Sequence, residues 1–281
     1  MSYLQNMRLS IHPATFSKKI ISVIAITSSL VTIYSFFIKP DSFTPIEGVF
    51  FLLVLVIINI AIASLLSLEK EDISLNINST TKLRVYFGNI GQCENIVVPV
   101  NDYFDTLVSD EVVSEFSIHG QFIQSIFSGK EEELSTLIDK ALVNEAFELV
   151  DERIVPRPKR YPLGTTAKIS YEGKDYYLVA LTKFDSSNKA SIDSSEYQVV
   201  ISKLLTFIGQ HSQGKKVSLP LLGGSARSGI TSLTKQQKLE LLILSMNLTD
   251  SLSVDDGLEL VLSKKESNEL SLNSVLQRTL I

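Results

Sequence analysis

Two uninterrupted apolar runs near the start of the chain constrain it more than any other feature. The first extends from Ile20 to Ile38 and the second from Val49 to Leu68, and neither contains a charged side chain. Each is roughly 20 residues long, the length at which an α-helix crosses a ~30 Å hydrocarbon layer. A short loop with Lys39, Pro40, Asp41, Pro45, Glu47 and Gly48 separates them, and no later segment is apolar enough for a third span. The pattern predicts a transmembrane hairpin, residues 20–68 with helices over 20–38 and 49–68, that carries a much larger polar part.

The first run is longer than the apolar core of a signal peptide, and no small-x-small cleavage pattern follows it before Lys39 and Pro40, so it reads as a retained anchor. Arg8, Lys18 and Lys19 precede it in a tail, residues 1–19, without any acidic residue, whereas the loop has only Lys39. Basic flanks stay on the cytoplasmic side. The N-terminus is therefore expected in the cytoplasm, and two spans return the chain to that side. Ala25, Ser28, Thr32 and Ser35 recur at helical spacing on the first helix, and Asn59, Ala61, Ala63, Ser64 and Ser67 lie on the second. Such faces suit close packing, within one hairpin or between hairpins of several subunits. Two helices cannot enclose a pathway and no intramembrane charge marks one, which disfavours a transporter.

Beyond the hairpin we expect a connector over 69–81 and a ligand-binding domain over 82–281, together roughly 210 residues, enough for one full-sized domain with its own core. The formal net charge of −5 argues against nucleic acid, whose phosphates need a basic face. Cys93 is the only cysteine, so it supports neither a disulfide framework nor a cysteine-based zinc site and reads as a core residue.

Alternation of Ile73, Leu75 and Ile77 suggests a short strand, and Lys82 to Phe87 and Ile96 to Val100 suggest two more. Helical spacing is expected from Ser109 to Phe127 and from Glu131 to Leu149. Lys168 to Leu181 reads as a hairpin turning at Glu172, Gly173 and Lys174. A helix over Ser194 to Gln210, a buried strand over Lys216 to Leu222, a helix over Thr234 to Met246 and a strand over Leu258 to Leu262 follow. A terminal helix carries Leu270, Val275, Leu276 and Leu280. The Thr234-x-x-Gln237 pair is a capping pattern. Strands alternating with helices predict an α/β domain with helices on both faces of a sheet.

The strongest local signal is Pro220-Leu221-Leu222-Gly223-Gly224-Ser225-Ala226-Arg227-Ser228-Gly229-Ile230, between a strand and a helix. Glycines let backbone amides approach a ligand, hydroxyls add donors, and a helix N-terminus favours an anion. Ligands in open α/β sheets sit beyond the carboxyl ends of strands, where this loop lies. Gly209 to Lys216 reads GQHSQGKK, close to a nucleotide phosphate loop, but it lacks the terminal Ser or Thr and follows a helix instead of a strand. Two further polar clusters are Asn101 to Asp105 with Ser117 to Gln121, and Pro162 to Thr166. Each is also compatible with plain turn chemistry. His119 has no His or Cys nearby in sequence, so no metal site is expected, and no nucleophile, base and orienter set is legible.

The order of these pieces resembles a macro domain over roughly Leu83 to Leu262. It runs from Gly88-Asn89-Ile90 after a strand, through Ile96-Val97-Val98-Pro99-Val100-Asn101-Asp102, to a strand entering Gly223 to Ile230. With two spans ahead of it, the whole resembles the membrane-anchored macro-domain effectors of Thoeris antiphage systems. The resemblance implies a three-layer α/β/α sandwich behind a transmembrane hairpin and an ADP-ribose-derived ligand, with no cofactor. It implies a TIR-domain partner that makes the signal from NAD, self-association in the bacterial inner membrane, and membrane damage as output. Carried over by position, Asn89 and Ile90 face the adenine. Asn101, Asp102, Ser117, His119 and Gly120 line the ribose and diphosphate, with Gly164, Thr165 and Thr166 near the same cleft. Gly223, Gly224, Ser225, Ala226, Arg227, Ser228, Gly229 and Ile230 wrap the diphosphate, with Arg227 pairing a phosphate or capping the distal group. The family's usual Asn-Ala-Ala-Asn and triple-Gly elements are absent, which favours sensing over catalysis and assigns no catalytic residue. The alternatives are a membrane-anchored ADP-ribosyl hydrolase, with Asn101 or Asp102 positioning water, and a passive anchor for a scaffold.

Overall fold

The computed structural model describes residues 9–11, 13–35, 44–90, 94–150, 153, 157–224 and 232–279. In chain order the elements are β1 (Leu9–Ile11), α1 (Pro13–Ser35), α2 (Pro45–Leu66), β2 (Leu68–Lys70), β3 (Asp72–Asn76), β4 (Lys82–Phe87), β5 (Asn95–Asn101), α3 (Ile118–Ile126) and α4 (Glu131–Ala141). They continue with β6 (Glu148–Leu149), β7 (Lys159–Arg160), β8 (Thr166–Tyr171), β9 (Lys174–Phe184), β10 (Ala190–Ser191), α5 (Ser194–His211), β11 (Val217–Pro220), α6 (Lys235–Leu248), β12 (Leu258–Leu262) and α7 (Leu272–Thr279). Two compact units result, Met1–Asp72 with Lys265–Ile281, and Ile73–Lys264.

In the first unit α1 packs on α2. Both helices turn apolar side chains outward: Ile21 and Phe50 are each 69% exposed. Both are also long and apolar enough to cross a bilayer. On α2 the expected Asn59 and Ala63 turn inward, but on α1 Val23 is the buried residue and Thr27 bonds across, whereas Ala25, Ser28 and Thr32, the small face expected there, are exposed. Ala63 is buried. The buried Asn59 accepts from the Thr27 hydroxyl at 2.9 Å and donates to Leu55 O at 2.7 Å, so its bonds lie within one hairpin. α2 begins earlier than its apolar run. Pro45 fits the first turn because its missing N–H has no partner there. Thr44 accepts from Glu47 N, and the Glu47 carboxylate accepts from Thr44 N at 2.8 Å. Pro45, Glu47 and Gly48, expected in the loop, are therefore helical.

β1 pairs antiparallel with β2, Leu9 opposite Lys70 and Ile11 opposite Leu68. α7 docks on β2. Asn273 Nδ2 donates to Leu68 O at 2.7 Å, Ser271 Oγ donates to Glu69 Oε2 at 3.0 Å, and Leu272 and Val275 are buried. The C-terminal segment thus belongs to the same unit as the apolar helices, although it follows the ligand domain in sequence. The segment expected as a connector holds β2 and β3.

The second unit is built on a sheet ordered β10-β9-β5-β11-β12-β4-β3, with β8 also on β9. β9, β5, β11, β12 and β4 run parallel, and β8 and β10 are antiparallel to β9. β5 is apolar at successive positions, as a strand covered on both faces must be. Ile96, Val98 and Val100 face Phe122 and Ile123 of α3 and Leu134 and Ile138 of α4. On the other face Tyr177 of β9 meets Phe207 of α5 edge-on, ring centroids 5.6 Å apart. Helices therefore cover both faces, giving the expected α/β/α macro-domain architecture. The β8–β9 turn falls where expected, with Glu172 and Gly173 at φ 49° and 77°, the pair of left-handed residues that a two-residue hairpin favours.

Two helices are shorter than their spacing predicts. Glu131–Leu149 stops at Ala141, where Leu142 caps the helix and Glu145 N turns back to Leu142 O; Glu148 and Leu149 instead pair with β7. Ser109–Phe127 becomes helical only at Ile118, because Ser117 Oγ accepts from Gly120 N and starts the helix there. Gly120 is required at that start, since a Cβ would lie 2.2 Å from Ser114 O. Gly120→Ala is expected to destabilise the protein by about 1–3 kcal/mol, read as a lowered urea midpoint. Gly48→Ala, where a Cβ meets nothing within 4 Å, is expected to be neutral.

Candidate ligand-binding site

β11 pairs with β5 only through Asn95 and Ile96, although both strands continue further. Pro99 and Pro220 have no N–H to give a ladder, and the pairing ends before them. From β5 the chain passes to α3 and α4 on one face; from β11 it passes toward α6, on α5's side of the sheet. Adjacent parallel strands whose connections leave to opposite faces open a crevice at their carboxyl ends. One wall is Asn101–Asp105 and the other is Leu221–Gly224.

The first wall is held by its own buried acids. Asn101 Oδ1 accepts from Tyr103 N and Asp105 N, each at 3.2 Å, and its Nδ2 donates to Asp105 Oδ2 at 2.8 Å. Asp102 accepts from Phe184 N at 3.0 Å and from Arg160 Nε at 2.7 Å. Asp105, fully buried, takes both guanidinium nitrogens of Arg153, at 3.1 and 2.8 Å. Arg153 also donates to Asn188 Oδ1 and lies 3.7 Å from the Tyr103 ring centroid, while Arg157 donates to Tyr103 O and Asp139. Burial pushes both the Asp102 and Asp105 carboxyls upward, opposed by their arginine partners. Between these acids Phe104 adopts φ 54°, a strained conformation for a bulky side chain, and is fixed by burial against Tyr161.

The remaining expected residues that the structure describes fall into four places. Gly164, Thr165 and Thr166 join the first wall, because Tyr161 N donates to Asp102 O at 2.8 Å and Gly164 N to Ala180 O at 2.9 Å. Ser117, His119 and Gly120 support it from behind. Ser117 caps α3, Gly120 packs on Ser114, and buried His119 hydrogen-bonds the Asp105 backbone. Asn89 is exposed and Ile90 packs on the core at the exit of β4, beyond β11 and β12. On the second wall Gly223 and Gly224 end a turn in which Gly223 has φ 65°. Ser225, Ala226, Arg227, Ser228, Gly229 and Ile230 lie outside the described residues. α6 starts only at Lys235, and its Thr234–Gln237 capping box uses first-turn donors itself.

The family model described as Thoeris protein ThsA, Macro domain, matches residues 83–263. The chain belongs to this family. A curated ThsA relative, the Thoeris protein ThsA of Bacillus amyloliquefaciens (strain Y2), is 27% identical over 229 residues, covering 79% of this chain and 73% of the relative. Among solved structures, an Oceanobacillus iheyensis macrodomain mutant with ADPR is 12% identical with TM-score 0.48, covering 74% of this chain and 96% of that one. The same macrodomain with ADP is 11% identical with TM-score 0.48, covering 74% and 94%.

In this ThsA-type domain, Arg153, Arg157, Arg160, Tyr197 and Lys238 are residues of the crevice walls that sequence reasoning missed. The arginines had a signal: with Lys159 they make four cations within eight positions, in a chain whose Asn101–Asp105 loop carries two acids. His119 gives a test of the wall. Burial pushes its pKa from 6.5 down to about 3. Below pH 6.5 the unfolded chain binds a proton that the folded one refuses, so stability is full above that value and falls as the pH drops. Between about pH 6 and 5 the expected loss approaches 1.4 kcal/mol per unit, and His119→Leu should flatten that slope in urea midpoints.

Proposed function

We propose that this ThsA-type protein is a ligand-gated membrane effector of antiphage defence. It senses an ADP-ribose-derived signal, made from NAD by a TIR-domain partner, in the crevice between β5 and β11. Occupied domains self-associate, gather their hairpins in the bacterial inner membrane and breach it, with the N-terminus and the domain cytoplasmic. The observation that carries this reading is a ThsA macro domain, whose β5 and β11 part at their carboxyl ends, on a chain with two lipid-compatible helices. ADP-ribose is the ligand class that the macro-domain resemblance implies. Sensing is favoured over hydrolysis because the Asn101 and Asp102 oxygens, which a hydrolase would use to hold water, accept bonds from their own loop, Phe184 and Arg160.

A ligand drives assembly only by binding the assembled state better than the monomer. The path to the hairpin is covalent: the chain passes between units at Asp72–Ile73 and at Lys264–Lys265, the second just past the carboxyl end of β12. Dye-loaded liposomes carrying the full-length protein should leak on addition of ADP-ribose or its adducts and stay sealed with NAD. Leu272→Asp, which undocks α7 from β2, should keep ligand affinity and lose leakage. Leakage indifferent to every such ligand would reject the reading.

A further inference from the structure

Arg153, Arg157 and Arg160 brace the first wall, and the last of them is incompletely engaged. Arg153 uses every guanidinium nitrogen, Nη1 and Nη2 on Asp105 and Nε and Nη2 on Asn188 Oδ1. Arg157 does the same, with Nε on Tyr103 O, Nη1 on Ser135 Oγ and Nη2 on Asp139. Arg160 gives only Nε, to Asp102 Oδ2. Its Nη1 and Nη2 hydrogen-bond to no described residue, and Glu148, opposite it on β6, makes no ion pair with it. Its side chain is also the most open, 33% exposed against 11% for Arg153 and 7% for Arg157.

Tyr103 lies beside it. The guanidinium carbon of Arg153 is 3.7 Å from the centre of the Tyr103 ring, and that of Arg160 is 6.0 Å away. Tyr103 is 4% exposed, and its hydroxyl has no hydrogen-bond partner among the described residues. Ser212 Oγ is the one sealed-in side-chain polar atom among them that lacks a partner, so the Tyr103 hydroxyl opens to water. Burial pushes its pKa up, so it keeps its proton and can donate.

Each arginine charge is answered by a carboxylate, at Asp105, Asp139 and Asp102. What the wall leaves over is direction instead of charge: the N–H groups of Arg160 Nη1 and Nη2 and the Tyr103 O–H, with no acceptor among the described residues. A guanidinium presents its donors in a fixed fork, so the edge turned away from Asp102 can take a second oxyanion. A group made only of acceptor oxygens matches such a donor set, and in ADP-ribose that group is a phosphate.

We propose that Arg160 and Tyr103 form a phosphate subsite on the first wall, with Asp102 as the positioning residue that holds Arg160 by Nε. This rests on the ADP-ribose reading for which ligand enters, and adds the side chains that take one of its phosphates.

Calorimetric titration of the full-length protein in detergent tests it. Tyr103→Phe removes a hydroxyl that no described residue uses. Its urea midpoint should match wild type while ADP-ribose affinity falls about tenfold, the loss of one hydrogen bond to a charged group. Arg160→Lys keeps a cation for Asp102 and removes the fork, and should lose at least as much. Wild-type affinity in either variant overturns the proposal. So does a lowered urea midpoint in Tyr103→Phe, which marks the hydroxyl as structural. Should Arg160→Lys unfold, Tyr103→Phe alone decides. Wild type that fails to bind ADP-ribose rejects the functional reading instead. Inorganic pyrophosphate then decides the subsite: binding that Tyr103→Phe weakens upholds it, and binding indifferent to Tyr103, or none, overturns it.

Discussion

The organisation of the ligand domain depends on where β5 and β11 stop pairing. Their ladder consists of Val217 opposite Asn95 and Ser218 opposite Ile96. Beyond it each strand reaches a proline, at Pro99 and Pro220, and the chain leaves β5 and β11 toward opposite faces. A crevice follows from this geometry before any ligand is considered. It sets Asn101–Asp105 against Leu221–Gly224 and decides which loops can meet a ligand.

The two walls are built on different physics. The first is an electrostatic lattice in which buried Asp102 and Asp105 are gripped by Arg160 and Arg153, with Phe104 held at positive φ between them. Breaking such a pair leaves an uncompensated buried charge, at a cost of about 3–5 kcal/mol, so this wall is rigid. The second is a glycine turn whose carbonyls are held from beneath by Tyr197 and Lys238. Backbone amides contact a ligand without side-chain rearrangement, which suits recognition of an anion.

Much of this was legible in the sequence, and the exceptions share a cause. The β5 run, the β8–β9 turn, the Thr234–Gln237 capping box and the alternation of strands and helices are local signals, and they predicted the layers. The helix ends at Ala141 and Ile118 were not legible, since each depends on a single turn bond. The site was read in outline only. Asn101 and Asp102 are expected at the ligand, and their bonds to Asp105, Arg160 and Phe184 N join residues 4, 58 and 82 positions apart, of which only the first lies in their own loop. Lys238 and Tyr197 are long-range partners of the glycine turn, 15 and 25 positions away. The docking of α7 on β2 joins segments about 200 positions apart, and no periodicity announces it.

The account's central claim is that one ligand is held between both walls. Hydrogen exchange of the full-length protein in lipid, with and without ADP-ribose, tests it most directly. The account predicts that amides of Asn101–Asp105 and of Leu221–Gly224 gain protection together at the same ligand concentration. Protection of one wall alone, or at the sheet's amino-terminal edge, would contradict it.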